Sequence, residues 1–217
     1  MQIHHLSENN SVLNHFLGQI RDVNIHNDSL RFRKNMERIG EIMAYEISKN
    51  LDYQSVAIPT PLGTKATHYI KNPLVICSIL RAGLTLHNGF LNYFDAAENG
   101  FISAYRHHPK NDDFFEIILQ YQAVADINNK TVVVVDPMLA TGQSIVAVFK
   151  RLMERGTPSE IHIAVVIAAP EGIAHLEAEL PDNCHLWIAA IDDHLNEHSY
   201  IVPGLGDAGD LAYGQKL

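Results

Sequence analysis

Apolar positions along the chain follow two rhythms. Phe32, Met36, Ile39, Met43 and Ile47 recur at steps of three and four behind Asp28 or Ser29 as cap. That is the stripe of an amphipathic helix lying on a sheet. "SVAIPTPLGTKATHYI" reads as two short strands around the "PLGT" turn, a β-arm over about residues 53–70 suited to self-association. The pattern then alternates: strand "LVICSIL", turn "RAG", helix 84–94, a strand near "FISAYR", a hairpin over 114–125 and a strand over 131–135. A helix over 144–155 follows, with Ile145, Val148, Phe149, Leu152 and Met153 on one face and Gly156 as stop. Strand "IHIAVVIAA", a short helix after Pro170 and strand "HLWIAAI" complete the series.

Strands separated by helices imply a parallel sheet, so the fold class is α/β with a mostly parallel, doubly wound sheet. No internal repeat or linker divides the chain, which reads as a single domain over 1–217. Ligands of such sheets sit beyond the carboxyl ends of the strands, where Arg81, Arg106 and Asp136 all fall.

Composition narrows the partner. With 25 Asp plus Glu against 16 Lys plus Arg the net charge is −9, which disfavours nucleic acid and points to a small molecule. Cys77 and Cys184 sit in apolar segments and read as buried thiols of a reducing compartment. The opening "MQIHHLSENN" lacks the apolar stretch of a secretory signal, and no run approaches the ~18 apolar residues of a membrane span. The expectation is a soluble cytoplasmic protein. Thirteen scattered histidines read as surface residues.

The chemistry gathers at "VVVVDPMLATGQS", residues 132–144. Ala140–Ser144 leads into a helix whose first amides lack partners and carry the positive end of the dipole, so an anion is welcome there. Thr141 and Ser144 add hydroxyls, Gly142 permits close approach, and Asp136 can accept from sugar hydroxyls. A phosphate joined to a ribose fits, although the same residues also make an ordinary strand-to-helix turn. A P-loop is excluded because the loop has no lysine, and no Gly-x-Gly-x-x-Gly follows an early strand. Arg81 in "SILRAG" ends a strand with a fork of donors suited to a diphosphate. "YIVPGLGDAGD" places Gly204, Gly206 and Gly209 within six positions, too many for a packed element, and reads as a loop whose main chain approaches a ligand.

Taken together, "LRFRKN", "ILRAG", "AYR", "DPMLATGQS", "AAPEGI" and "LNEHSYIVPGLGDAGD" resemble the uracil phosphoribosyltransferases over nearly the whole chain. The resemblance implies the type I phosphoribosyltransferase fold, with a flexible hood over about 106–125. It implies conversion of uracil and 5-phosphoribosyl 1-diphosphate to UMP and diphosphate in pyrimidine salvage, with Mg²⁺ held mainly by the donor and no dedicated protein metal site. It assigns the donor's phosphate and ribose to Asp136, Pro137, Met138, Leu139, Ala140, Thr141, Gly142, Gln143 and Ser144, and its diphosphate to Arg81 and Arg106. Uracil falls to Ile201, Gly206, Asp207 and Ala208, with Asp207 also near the donor; Arg81, Arg106 and Asp207 carry the catalytic assignments. The arm implies a homodimer or higher homo-oligomer.

Departures from the family pattern are specific. Gln143 replaces a second glycine; a positive φ there would cost a side chain about 1 kcal/mol. Ser78 replaces a common proline, and "RHHPKNDDFFEIILQYQ" differs from the usual hood, with His107, His108 and Lys110 either cationic contacts or solvent-exposed loop. "HLNEH" would place His194 and His198 on one face if helical, but lacks the order of a metalloprotease motif. Gln143 and the altered hood support one alternative, a non-catalytic relative that binds nucleotides as a sensor or regulator.

Overall fold

The computed structural model describes residues 1–107 and 116–216. Its central sheet runs in the order β1 (Gln2–His5), β10 (Cys184–Ile191), β9 (Glu160–Ala168), β7 (Thr131–Val135), β4 (Leu74–Leu80), β5 (Glu98–His107) and β6 (Glu116–Val124). A two-residue strand, β8 (Met138–Leu139), also pairs with β9. All neighbours are parallel except β6, which runs antiparallel to β5. This is the mostly parallel α/β sheet expected from the alternation of strands and helices.

Strands β4 and β7 carry nothing but buried side chains over most of their length, as strands covered on both faces must. On one face lie α1 (Val12–Arg21), α2 (Ser29–Ser48) and α3 (Gly83–Leu91); on the other lie α4 (Gln143–Met153) and α5 (Pro170–Glu179). Strands β4 and β7 are neighbours, yet the helices that follow them leave to opposite faces. A crevice therefore opens between the two loops, which is where doubly wound sheets bind ligands.

Asp28 caps α2 by accepting from the amides of Leu30 and Arg31, at the position read from the sequence. The arm forms as β2 (Tyr53–Thr60) and β3 (Gly63–Ile70), an antiparallel pair in a sheet of its own. Several expectations are corrected. The hairpin expected over 114–125 is instead the single strand β6, which folds back on β5 from His107↔Glu116 to Gly100↔Val124. Half of the expected hood is thus an edge of the main sheet, while His108, Lys110 and the rest of 108–115 lie outside the described residues. Helix α3 stops at Leu91, not at 94, because Tyr93 and Phe94 both hydrogen-bond back to Phe90 in a closing turn. Helix α4 starts at Gln143 and ends two residues before 155. Strand β1, α1 and a short 3₁₀ turn over Leu6–Glu8 have no counterpart in the sequence reading.

Helices α2 and α3 cross at two glycines. A Cβ on Gly89 would lie 2.1 Å from the Glu37 carbonyl oxygen and 2.8 Å from the Glu41 nitrogen, and one on Gly40 would lie 2.6 Å from the Leu86 carbonyl oxygen. Backbone meets backbone there, so nothing can yield cheaply. Gly89→Ala is expected to destabilise the fold by about 3 kcal/mol in urea denaturation, at the upper end of overpacking costs. Gly18→Ala, where a Cβ meets nothing within 4 Å, is the control and should stabilise by up to about 1 kcal/mol.

Candidate active site

The crevice beyond β4 and β7 holds a cleft of about 600 Å³, with a smaller recess of about 100 Å³ beside it at the start of α4. Four segments wall the cleft. Ile79, Leu80, Arg81 and Ala82 come from the end of β4, and Asp136, Met138, Ala140 and Ser144 from the loop after β7. Ser199, Tyr200 and Ile201 form a third wall, and Gly206 to Gly209 a fourth.

The loop after β7 alternates in function. Pro137 is buried and its carbonyl accepts from the amides of Val166 and Ile167 at 3.1 and 3.0 Å, while the Leu139 carbonyl accepts from Ala169 at 2.9 Å and its side chain is 1 % exposed. The main chain of Pro137 and Leu139 is thus tied to β9, and neither residue lines the cleft, whereas Met138 and Ala140, between and after them, do. Thr141, Gly142 and Ser144 line the recess. Gly142 takes φ 77° and ends the loop as N-cap of α4 without a side-chain cap. The first turn of α4 therefore presents its amides to the recess, as an anion site requires.

Gln143 lies on the solvent side. It is exposed, does not line cleft or recess, and is the first residue of α4; the positive φ falls on Gly142 instead. Any contact it makes with a ligand in the recess would come from its main-chain amide, and the side chain incurs no left-handed strain. Asp136 closes the recess from the other side. Burial pushes its carboxyl up to about 7, opposed by the hydrogen bond it accepts from the Met138 amide at 3.3 Å.

Arg81 follows a cis peptide bond from Leu80, and its Nη2 donates to Asp210 Oδ1 at 2.9 Å and to the Gly214 carbonyl at 3.1 Å. Its Nε is buried and has no partner among the described residues. Arg106 contributes its main chain to β5, paired with Ile117; its guanidinium lies outside what the structure describes.

The glycine-rich segment is half loop and half helix. Gly204 and Gly206 take φ 62° and 92°, but Gly209 sits in α6 (Ala208–Tyr213), capped by Asp207, whose Oδ1 accepts from the Asp210 amide at 2.9 Å. The expected continuous loop is corrected accordingly: a Cβ on Gly209 would lie 3.1 Å from Asp207 Oδ1 and 3.8 Å from Arg81 Nη2, so the glycine serves close packing. Lys216 reaches the same wall, 3.8 Å from Asp207 Oδ2. A Cβ on Gly206 would meet nothing within 4 Å, so that side of the segment is open.

Two supports were invisible in the sequence reading. Arg21, at the end of α1, pairs with the buried Asp192 at the end of β10 and donates to the Gly204 carbonyl at 3.0 Å; Asp192 in turn accepts from the Gly204 amide at 2.9 Å. The other is Gly172 on α5, where a Cβ would lie 2.2 Å from the Ala140 carbonyl oxygen, so α5 backs the anion loop directly. The quoted "AAPEGI" contains Gly172 without revealing that contact. His194 lies in β11 (His194–Leu195), paired with β12 (Ile201–Val202), and His198 is in the turn beyond; the helix that would align them is not formed. No group of three or more His, Cys, Asp or Glu is placed to hold a metal among the described residues.

Fold and site together define a doubly wound α/β protein with an uncapped helix terminus and an arginine on one cleft at the crossover point of its sheet. A family model for uracil phosphoribosyltransferase matches residues 7–215. A uracil phosphoribosyltransferase of Porphyromonas gingivalis is 51% identical over 217 residues, covering 100% of both chains. One from Lacticaseibacillus paracasei is 40% identical over 211 residues, covering 96% of this chain and 97% of its own. The solved structure of the AQ2163 protein from Aquifex aeolicus superposes with a TM-score of 0.88 at 29% identity, covering 98% of both chains. The chain belongs to the uracil phosphoribosyltransferase family, which is a family of pentosyltransferases.

The two neighbours in the loop should separate cleanly. Gly142→Ala forces a side chain into φ 77° and to within 3.1 Å of the Gly172 carbonyl oxygen, and is expected to cost about 1–2 kcal/mol and at least tenfold in UMP affinity. Gln143→Gly should leave UMP affinity within about twofold, because the side chain it removes faces solvent. Titration calorimetry and denaturation of both variants check this.

Proposed function

We propose that the chain transfers phosphoribose from 5-phosphoribosyl 1-diphosphate to uracil, forming UMP and diphosphate in pyrimidine salvage. One observation carries the reading: the uncapped first turn of α4 and the glycine-rich segment before α6 open on the same cleft, at a spacing set by the sheet. The first suits a phosphate and the second a flat base.

In this reading the phosphate rests on the amides of 141–144 and on the Thr141 and Ser144 hydroxyls. Asp136 accepts from the ribose hydroxyls, and Arg81 and Arg106 meet the diphosphate. Uracil lies against Ile201 and beside Gly206, Asp207 and Ala208, where main-chain N–H and C=O groups match its acceptor, donor, acceptor edge; cytosine would leave buried groups unpaired. The bond from C1 to uracil N1 forms as the C1–O bond breaks, diphosphate leaves with that bonding pair, and the N1 proton passes to water. Positive charge grows on the ribose and negative charge on diphosphate, so fixed cations there lower the barrier. Asp136 and Asp207 are hard oxygen donors on the cleft wall and suit Mg²⁺, which takes one or two carboxylates with substrate oxygens and water. Bound mainly by the donor, Mg²⁺ would supply charge neutralisation on the diphosphate.

Self-association through the arm is part of the reading, since Leu62 at its tip is fully exposed and Tyr53 and Tyr69 are exposed along it. A cytoplasmic setting agrees with Cys77 and Cys184, both free and buried. The sensor alternative loses one of its two supports, because Gln143 does not crowd the anion turn.

The test is formation of UMP from labelled uracil, donor and Mg²⁺ by the purified protein; binding of UMP without turnover would overturn catalysis. A second expectation concerns pH. The Asp136 carboxyl, raised to about 7, is ionised only above that value, and hydroxyl donation from ribose favours the ionised form. kcat/KM for the donor should therefore climb as pH rises through about 7. Asp136→Asn should abolish that limb and lower kcat/KM by about tenfold to a hundredfold. The pH profiles of both proteins provide the comparison.

A further inference from the structure

The turn that carries Arg81 rests on two buried polar side chains, Ser78 and His87, with an exposed third, Asn99, at the far end of the imidazole. Ser78, three residues before Arg81 on β4, is fully buried, and its Oγ lies 2.8 Å from Nδ1 of His87 on α3, itself 2 % exposed. Nε2 of the same ring lies 2.6 Å from Asn99 Oδ1 on β5, and Asn99 Nδ2 donates to the Ala97 carbonyl at 3.3 Å. The proton positions follow. Asn99 uses its amide on Ala97 and offers the ring only oxygen, so Nε2 carries a proton and donates it. Burial pushes the His87 pKa down, opposed by Asn99, and the ring is neutral near pH 7. Nδ1 is then bare and accepts the Ser78 hydroxyl at 2.8 Å, in preference to the Gly83 carbonyl, which lies at 3.4 Å from the same oxygen.

The same serine supports the exit of the turn. A Cβ on Gly83 would lie 3.5 Å from Ser78 Cβ, 3.6 Å from Ser78 Oγ and 2.8 Å from the Val135 carbonyl oxygen, so Gly83 is seated on Ser78 and on the last residue of β7. Ile76, Leu86 and Phe90 around it are fully buried. Apolar contacts there would hold α3 down, but they are non-directional. The buried Ser78–His87 hydrogen bond is directional, and either partner left unpaired is costly, so it fixes how α3 is rotated and seated against β4.

We propose that Ser78 and His87 are positioning residues for the diphosphate: their hydrogen bond locks α3 to the end of β4 and thereby aims the Arg81–Gly83 turn into the cleft. This rests on the reading that Arg81 takes the donor's diphosphate.

Three variants test it. Ser78→Ala removes the hydroxyl. His87→Asn keeps a polar group at the Nδ1 position, facing Ser78, and His87→Gln keeps one at the Nε2 position, facing Asn99. Donor KM, kcat and UMP affinity are measured for each, with Tm. Ser78→Ala and His87→Gln are expected to raise donor KM about tenfold while UMP affinity stays within about twofold, since UMP lacks the diphosphate. His87→Asn should remain within about threefold of the wild-type donor KM. Unchanged donor KM in Ser78→Ala and His87→Gln would overturn the proposal, as would donor and UMP affinities falling together in step with Tm, which marks a merely structural network. Ser78→Ala, the smallest change, decides alone if the histidine variants do not fold. A wild-type protein that makes no UMP sinks the parent reading and this one with it; one that makes UMP while both variants keep their donor KM sinks only this one.

Discussion

The structure depends on a helix left open at its beginning. Gly142 enters α4 in a left-handed conformation with no side-chain cap, and Thr141, Gly142 and Ser144 line a recess at that helix start. Amides without a side-chain cap at the positive end of a helix dipole suit an anion. Much of the neighbourhood serves to keep them in place. Pro137 and Leu139 stitch the loop to β9, Gly172 lets α5 press against Ala140, and the α4 face bearing Ile145, Val148 and Leu152 anchors the helix in the core.

The opposite wall is held by charge. The buried Asp192 and the half-buried Arg21 form a pair that grips both the amide and the carbonyl of Gly204, where φ is 62°. Replacing one partner would leave an uncompensated buried charge, the costly way to break such a pair. Arg81 is held differently: Asp210 and the Gly214 carbonyl share one of its nitrogens, at the surface. In the proposed reading, an incoming diphosphate competes with the half-buried Asp210 carboxylate for that guanidinium.

Legibility in the sequence followed the range of the interactions. Strands β4 and β7 could be read because a continuous apolar run bounded by turn residues has few other fates, and α2 because its stripe and its Asp28 cap are local. Strand β1 could not, since "QIHH" becomes a strand only by pairing with β10, where His4 stacks on Trp187. The glycines of "YIVPGLGDAGD" suggested a loop throughout; Gly204 and Gly206 satisfy that reading, while Gly209 lies in α6, which starts behind the Asp207 cap. Asp136, Thr141, Gly142 and Ser144 were legible from the chemistry of a strand-to-helix turn. Pro137, Leu139 and Gln143 were assigned by resemblance to the same loop; the pairing of the Pro137 and Leu139 carbonyls with the β9 segment and the solvent-facing side chain of Gln143 depend on the fold and had no local signal. Arg21 and Asp192 stand 171 residues apart, and no local pattern could have joined them.

A crystal structure with UMP bound tests the central claim most directly. The result expected is a phosphate whose oxygens accept from main-chain amides within 141–144, with the pyrimidine between Ile201 and the Gly206–Ala208 segment. A phosphate bound elsewhere, or amides in the first turn of α4 that remain turned to protein or solvent while UMP occupies the cleft, would contradict it.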